Sequence, residues 1–582
     1  MSSDTDSVLS KFTDLDSLPG SAAGPDPSPL SLALRIGVIV IAAVVVYLAR
    51  PLIHFWVYGM LFSPTGLILF GTATVGVVIA VLLFLFPGLR SVIRFNDVNV
   101  AGSVIVFVFF LSIGVGGVTG VFESNSLAER TTLNVEEIDE LPAIAEENPR
   151  IVPRPVADVQ TRGSVSYRQH RLGTSDIARS PDGSLVWSYA IEPDPFRIQL
   201  TGNQRGVLLS DMTSIENRSI SAFDQQDFEH GQNMFLFRSA SWQLKTTGGY
   251  WSTYQDDPVE FVHDGTAYMA YPKTGHEWKL TPIPHTVPVW DGVGLVHPDG
   301  TIDHLSPEEA QESDILDGQR LYPLTLAREE AESLRFRNGI INQLPVVGSF
   351  RGVIEPASLP ATASNEQPFV IDTESDGITY VMAMEPFGES TRGLDEVWLF
   401  DADTNERKVF STGRETLLGP ERAVGIVRSE DSRTNWAGAD GDGQFKVVEP
   451  IPVVVDSQLW WHTKVSPTDN TDVTRNVFIN ADTEEAIELG RTEDVVSFLN
   501  GASVSTQENG TRVEESEQTE TATTASGDDI GYVIVVRDES GTVVDRIRVP
   551  QNQTATIESA QANTTVTTST ASASSTTNNS TS

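Results

Sequence analysis

The chain has 582 residues, enough for roughly two to four domains with ample hydrophobic cores. It contains no cysteine, which excludes disulfides, thiolate nucleophiles and cysteine-ligated metals. With 39 basic against 79 acidic side chains its formal net charge is −40, which excludes a general affinity for nucleic-acid phosphates.

The basic side chains are nearly all arginine. Only seven are lysines, namely Lys11, Lys245, Lys273, Lys279, Lys408, Lys446 and Lys464. At 1 M salt the Debye length falls to roughly 3 Å, which screens the repulsion among crowded carboxylates. This acidic, lysine-poor composition resembles that of proteins from salt-loving archaea. We therefore expect a halophilic protein, with an ordinary acidic protein as the alternative.

Residues 1–30 are polar, acidic and rich in Ser, Pro and Gly. Such a segment buries too little apolar surface to offset the entropy lost on ordering, so we expect disorder.

Three apolar stretches follow within residues 31–122: Leu32–Ala49, Thr65–Gly88 and Ser103–Phe122. A helix of about 20 apolar residues crosses a bilayer, and helix is the state that satisfies its backbone there. We predict three transmembrane helices. The long acidic leader and the lack of an A-x-A site argue against a cleaved signal peptide. The middles of the spans carry no Asp, Glu or Lys, which argues against a transporter.

Basic residues beside the spans predict their orientation, because they favour the cytoplasmic side. With the N-terminus inside, Lys11, Arg35, Arg90 and Arg94 are cytoplasmic and only Arg50 is outside. We therefore expect a multi-pass protein of the cell membrane with a cytoplasmic N-terminus and a large extracellular C-terminal region.

Residues 123–150 are predicted to be an acidic linker. Residues 151–305 and 306–501 are predicted to be a first and a second lobe of short strands, turns and few helices. The expected fold class is α+β, with a mostly antiparallel exterior region in two or three lobes, preceded by the three-helix transmembrane segment.

One phrase occurs three times in this region, as DGSLVWSYAIEP (182–193), DGITYVMAMEP (376–386) and DSQLWWHTKVSP (456–467). Apolar residues alternate in each copy, and Trp187, Tyr380 and Trp461 occupy the same step. This period of two predicts a strand with one buried face. We predict that the three aromatics are structural and buried, rather than exposed platforms for a ligand.

A second apolar run follows each copy and predicts a returning strand, at Val207–Leu209, Val397–Phe400 and Val477–Ile479. Each run continues into a polar Asp/Asn-x-x-Thr/Ser turn, so each repeat predicts a hairpin.

The segments FDADTNE (400–406) and INADTEE (479–485) resemble the closing strand and turn of PepSY-type modules. Asn405 and Glu484 stand where those modules usually have glycine. The resemblance covers about a quarter of the chain. It implies small helix-plus-sheet units outside membranes that bind or inhibit partners and are not catalytic.

Three helices are predicted, at Ser306–Leu316, Leu324–Gly339 and Thr492–Gly501, from their N-terminal caps, apolar stripes and closing glycines. The segment GLVHPDGTIDHL predicts a hairpin over Gly294–Leu305.

Residues 502–582 are predicted to be a low-complexity Ser/Thr-rich tail with one hairpin at residues 528–550. N-x-[ST] acceptor patterns suit an exterior, glycosylated chain and occur at Asn217, Asn509, Asn552, Asn563, Asn578 and Asn579.

One segment gathers groups that could ligate a metal: His276, Glu277, His285, Asp291, His297 and His304. Their spacing matches no metal motif, so turn or surface histidines are favoured. The DADT turns and Asp440–Gly443 contain only fragments of a calcium loop and predict solvated acidic turns. We predict no catalytic, cofactor-binding or metal-binding residue.

The sequence therefore predicts a membrane-anchored extracytoplasmic protein of a halophile, with a binding, assembly or envelope-structural role and no catalytic activity. Expected partners are the lipid bilayer and other membrane or surface proteins, without nucleic acid. One alternative is an accessory subunit of a membrane complex. The other is a membrane-tethered hydrolase that uses the His276–His304 segment.

Overall fold

The structure is a computed structural model. It describes residues 29–63, 66–86, 116–216, 218–344, 348–363, 365–388, 393–413, 417–438, 442–502, 504–507, 510–513, 530–537, 543–550, 553–558 and 565–570. The chain forms two compact units, Met1–Glu515 and Ser516–Ser582.

The first unit begins with helices α1 (Pro29–Leu48), α2 (Arg50–Phe62) and α3 (Gly66–Leu85), and residues 116–131 form helix α4. The axes of α1 and α2 differ by 85°. The break falls at Ala49, two residues before Pro51, because proline lacks the N–H that would continue α1 but is tolerated in the first turn of α2.

The described helices can be compared with the three predicted transmembrane spans. Within the described residues no single helix has both the length and the apolar composition needed to cross a bilayer, although α1 and α2 together do. The predicted transmembrane segment therefore lacks the support of a complete spanning helix. The first two predicted spans lie largely in α1 and α3, whereas most of the third is outside the described residues.

The predicted acidic linker is partly ordered. Residues up to 131 continue α4, which buries Leu127 and Ala128. Strand β1 (Glu136–Ile138) then pairs in parallel with Arg407–Ser411. The apolar residues between the acidic ones account for this order, since they contribute to the core.

The next segment consists of α5 (Arg154–Ser164), β2 (His170–Arg179), β3 (Leu185–Pro193), α6 (Phe196–Thr201), β4 (Val207–Asp211) and β5 (Ile220–Phe223). The four strands form an antiparallel sheet in the order β2-β3-β4-β5.

A second sheet contains two long strands. Its segment runs through α7 (Ala240–Gly248), β6 (Thr253–Tyr254), β7 (Val259–His263), β8 (Thr266–Lys279), β9 (His285–Val296), β10 (Ile302–Leu305), α8 (Pro307–Gln311) and α9 (Leu324–Ser333). The strand order is β10-β9-β8-β6, with β7 also on β8. The predicted hairpin over Gly294–Leu305 is confirmed as β9–β10.

The third segment contains β11 (Ile354–Pro356), β12 (Phe369–Thr373), β13 (Gly377–Pro386), β14 (Gly393–Leu394), β15 (Glu396–Asp401), β16 (Arg407–Ser411) and β17 (Leu417–Leu418). The last consists of α10 (Pro420–Glu430), β18 (Phe445–Val455), β19 (Gln458–Pro467), β20 (Arg475–Asn480), β21 (Ala486–Leu489), α11 (Thr492–Leu499), β22 (Val504–Gln507) and β23 (Gly510–Val513).

The first unit contains three repeats, and each repeat is a helix followed by a four-stranded antiparallel meander. Repeat 1 is α5 with β2, β3, β4 and β5. Repeat 2 is α9 with β12, β13, β15 and β16, and repeat 3 is α10 with β18, β19, β20 and β21. The repeated phrase is the second strand of each meander and pairs antiparallel with the third. The predicted α+β class with mostly antiparallel sheets is confirmed.

The hydrophobic core crosses the boundary expected between residues 305 and 306. One buried cluster joins Trp187 of repeat 1 to Tyr380 of repeat 2 and to Leu326 of α9. A second cluster joins Phe369 of repeat 2 to Trp461 of repeat 3. The three repeats are therefore held together by shared apolar packing rather than by linkers.

The three predicted helices are present but shorter. They correspond to α8, α9 and α11. The Ser306 hydroxyl accepts a hydrogen bond from the Glu309 backbone N–H, and the Glu309 carboxylate accepts one from Ser306, which fixes the start of α8. Helices α2, α5, α6, α7 and α10 were not predicted.

The second unit contains two hairpins, β24 (Ile530–Arg537) with β25 (Val543–Pro550) and β26 (Gln553–Glu558) with β27 (Thr565–Thr570). The hairpin predicted at residues 528–550 is therefore confirmed. The second hairpin was not predicted, although β-branched threonine favours extended backbone. All six predicted glycosylation sites lie outside the described residues.

Candidate ligand-binding cleft

The three repeated aromatics are buried, as the alternation of apolar residues predicts. Each directs its polar atom to a backbone carbonyl. The Trp187 indole donates to Val152 O at 3.0 Å, the Tyr380 hydroxyl to Tyr322 O at 2.6 Å and the Trp461 indole to Leu418 O at 2.7 Å. A buried ring with a satisfied donor is typical of a structural residue.

The repeated D/N-A-D-T turns are also structural. The Asp401 carboxylate accepts hydrogen bonds from the N–H groups of Asp403 and Thr404 at 2.7 and 2.9 Å. The Asn480 amide oxygen accepts from Asp482 and Thr483, both at 2.9 Å. These oxygens close the turn on its own backbone, and Asp440 and Gly441 lie outside the described residues.

The histidine segment does not converge on one point. His276 contacts the Tyr58 hydroxyl at 2.7 Å and His285 contacts Ser126 at 2.9 Å. His297 pairs with the Asp303 carboxylate at 2.8 Å, whereas His304 contacts Thr247 at 2.7 Å. Glu277 and Asp291 belong to β8 and β9, and no metal-sized group of acidic and histidine side chains occurs among the described residues.

A cleft of about 590 Å³ lies between repeats 1 and 2. Helix α5 and strands β2 and β3 form one side, and α9 with the segment from residue 359 to residue 370 forms the other. The charged side chains of its lining are Arg150, Arg154, Arg320, Arg328, Asp176 and Glu366. Counting Glu449, which pairs with Arg150 behind the lining, four arginines stand against three carboxylates in a chain whose net charge is −40.

Arg150 is buried and fixed at the base of the cleft. Its Nε and Nη2 donate to the two oxygens of Glu449 at 3.0 and 2.8 Å, and its Nη1 donates to Val370 O at 2.9 Å. Its guanidinium carbon lies 5.2 Å from the centre of the Trp187 ring. Glu449 belongs to β18, so this pair ties repeat 3 to the cleft. Burial acts to raise the pKa of Glu449, but Arg150 and Lys464 outweigh it and hold the pKa below its usual value.

Arg320 is fixed in the same way. Its side chain is buried, pairs with the Asp176 carboxylate and donates to Ile177 O at 3.0 Å. Burial acts to lower the pKa of Arg320, but Asp176 and Tyr380 together keep it above its ordinary value. The guanidinium therefore stays charged inside the protein.

The other two arginines are held less firmly. The Arg154 Nε donates to the Ser175 hydroxyl at 3.0 Å, and no carboxylate oxygen lies within 4.0 Å of this guanidinium in the described part of the chain. Arg328 pairs with Glu366 at 2.9 Å, but that Glu366 side chain is 82% exposed. An ion pair so exposed is worth about 0–1 kcal/mol, so an incoming anion can replace Glu366.

The arrangement combines two arginines fixed in buried ion pairs with two, Arg154 and Arg328, whose present contacts leave N–H donors for a ligand. Guanidinium groups present planar pairs of N–H donors that match carboxylate, phosphate and sulfate oxygens. Trp187, Leu324 and Leu359 supply apolar contact beside them. The cleft is therefore suited to an anionic ligand with an apolar portion.

This cleft was not predicted from the sequence. Its arginines are scattered from residue 150 to residue 328, and only the fold brings them together. Arg150 and Arg154, which bracket a short apolar stretch in an acidic chain, are the one local signal.

No family model matches this chain, and neither the curated proteins nor the solved structures include one that is similar to it.

Proposed function

We propose that the protein is a membrane-anchored extracytoplasmic binding protein of a salt-loving organism. Its folded region binds an anionic ligand in the arginine cleft. The excess of arginines over carboxylates in the cleft of so acidic a chain is the observation that carries this proposal. The resemblance to PepSY-type modules, which are thought to bind partners, is in keeping with it.

The way the N-terminal helices pack supports the anchor. Helix α2 lies against the hairpin β8–β9, where Thr286 donates to Phe62 O at 2.9 Å. Ser126 of α4 contacts His285 of the same hairpin at 2.9 Å. The helices on either side of residues 63–115 therefore both contact the β8–β9 hairpin of the folded domain. An even number of membrane crossings in this segment, such as the second and third predicted spans, satisfies that geometry.

The chemistry of the cleft supports binding rather than catalysis. Arginine stays protonated at any physiological pH, so the guanidinium groups of Arg154 and Arg328 can hold and orient an anion but do not transfer its protons. The separate partners of the four histidines provide no support for the hydrolase alternative.

The ligand class is an oxyanion, either on a small molecule or on an acidic side chain of a partner protein. Calorimetric titration of the full chain in detergent and molar KCl separates these two sources. One arm uses phenyl phosphate and benzoate, and the other uses a peptide with acidic and leucine side chains, all at constant ionic strength. We expect saturable binding in one arm.

Two substitutions test whether the cleft is responsible. A hydrogen bond to a charged group contributes about 1.5–3 kcal/mol, so Arg154→Gln and Arg328→Gln should each weaken binding about 10- to 100-fold. Arg422 lies on α10 and forms an exposed ion pair with Glu484, so Arg422→Gln removes the same charge and should leave binding unchanged. Binding in neither arm, or equal binding by all three variants, would contradict the proposal.

A further inference from the structure

Helix α2 has two distinct faces. Pro51, His54 and Phe62 are buried on one face, against the folded domain. The His54 Nε2 lies 3.0 Å from Ser252 O, and the Tyr58 hydroxyl donates to Thr274 O at 3.1 Å. The helix is therefore fixed to the β8–β9 hairpin and to the loop that precedes β6.

The opposite face of α2 is apolar and exposed. It carries Leu52, Phe55 and Trp56, with more than half of each side chain accessible. A helix whose second apolar face points away from its own domain requires another apolar environment.

The folded domain exposes two further tryptophans beside the C-terminal end of α2. The rings of Trp251 and Trp278 each lie 6.3 Å from the Phe62 ring, and both are exposed. Leu280, two residues after Trp278, is 73% exposed at the tip of the β8–β9 hairpin. We call Phe55, Trp56, Trp251, Trp278 and Leu280 the aromatic collar.

Basic side chains flank the collar on both the helix and the hairpin. Lys279 lies between Trp278 and Leu280 at the tip of the β8–β9 hairpin. Arg50, at the bend between α1 and α2, lies over the rings of Tyr47 and Tyr250 at 5.6 and 5.3 Å. Tryptophan, tyrosine and basic side chains are enriched where a membrane protein meets the headgroups.

We propose that the aromatic collar inserts into the boundary between headgroups and acyl chains of the outer leaflet. In this arrangement α2 lies in the plane of the membrane and the β8–β9 hairpin docks on the lipid surface. The 85° bend is in keeping with it, because α2 runs along the surface when α1 is taken as the first span of the proposed anchor. This inference rests on the proposed membrane anchor and goes beyond it by assigning the docking surface and its lipid partner.

Site-directed spin labelling tests the proposal directly, since the chain has no cysteine of its own. Leu280→Cys and Phe55→Cys place a nitroxide on the collar. Ile341→Cys is the matched control, because Ile341 is also apolar and is 72% exposed, but it lies outside the collar. The full chain is reconstituted into vesicles of phosphatidylcholine and phosphatidylglycerol, and flotation establishes whether it is membrane-bound.

Collisions with oxygen report lipid exposure, and collisions with a water-soluble nickel complex report aqueous exposure. We expect the oxygen-to-nickel ratio to be several-fold higher at residues 55 and 280 than at residue 341. Equal ratios in protein that floats with the vesicles would overturn the docking surface and leave the anchor intact. Protein that fails to float would overturn the proposed anchor, and the inference with it.

Discussion

At the scale of single residues, Lys464 of β19 is the most unusual group in the core. It is fully buried, and its Nζ has no hydrogen-bond partner among the described residues. Burial lowers the pKa of its ammonium group to about 7, with Glu449 opposing this shift and Arg150 adding to it. An unpaired amine beside a buried ion pair makes stability sensitive to pH.

The sign of this effect follows from the two pKa values of Lys464. Between about pH 7 and 10.5 the unfolded chain carries a proton on this amine that the folded chain lacks. Stability therefore rises with pH in that window, by up to about 1.4 kcal/mol per pH unit. Lys464→Met should lose this rise and should be more stable than the parent at pH 7.

Denaturant unfolding of the parent and variant at pH values from 6 to about 10 measures the difference. Lys408→Met provides the comparison, because a hydrogen bond to Asp376 raises the pKa of Lys408. A raised pKa stabilises the fold below pH 10.5, so this variant should be less stable than the parent at neutral pH. If the free energy of unfolding of Lys464→Met still rises with pH as steeply as that of the parent, the inference that Lys464 is buried as an uncharged amine is wrong.

Trp461 offers a second test at this scale. Its side chain is completely buried, so Trp461→Ala should destabilise the protein by about 3–5 kcal/mol through lost burial and a residual cavity. Trp251 is 67% exposed, and Trp251→Ala in detergent should change stability by no more than about 0.5 kcal/mol. Chemical denaturation of both variants compares the two costs. Equal costs would show that the repeated aromatic is not a core residue.

At the scale of elements, the turns of repeats 2 and 3 have the same geometry. Asn405 and Glu484 both have a φ of +61°, in the left-handed region where glycine is free of strain. These are the positions at which PepSY-type modules usually carry glycine. Glycine would be free of strain at both positions of this chain.

Replacement of Glu484 by glycine should therefore be tolerated far better than replacement of its neighbour. Left-handed backbone costs a non-glycine residue about 1–2 kcal/mol, whereas glycine elsewhere costs about 0.5–1 kcal/mol in entropy. We expect Glu484→Gly to be about 1–2 kcal/mol more stable than Glu485→Gly, in thermal or denaturant unfolding. The exposed ion pair from Arg422 to Glu484 reduces the gain only slightly. If Glu485→Gly is as stable as Glu484→Gly or more stable, the backbone at position 484 is not strained.

The elements predicted from sequence were those with a strong local pattern. The strict alternation around Trp187, Tyr380 and Trp461 predicted β3, β13 and β19 together with their returning strands. Helices α5 and α10 were missed because Gly163 and Gly425 weaken their helical signal. The cleft was missed because Arg154 and Arg328 meet only after repeats 1 and 2 pack together, and no local pattern encodes that contact.

At the scale of the whole molecule, the net charge of −40 predicts that folding depends on salt. The melting temperature of the full chain in detergent should rise as KCl is increased into the molar range, because counterions screen the repulsion among carboxylates. KCl is preferred to sulfate, since sulfate strengthens apolar burial in any protein. A melting temperature indifferent to KCl would contradict a halophilic protein.

The proposed function requires the folded domain to face outward from a membrane with the N-terminus inside. Single cysteines at Ser7 and Ile341, in a chain without cysteine, allow this to be measured with a membrane-impermeant maleimide on intact cells. We expect Ile341→Cys to be labelled on intact cells and Ser7→Cys only after lysis. Labelling of Ser7→Cys alone on intact cells, or of neither variant before lysis, would contradict an outward-facing binding domain.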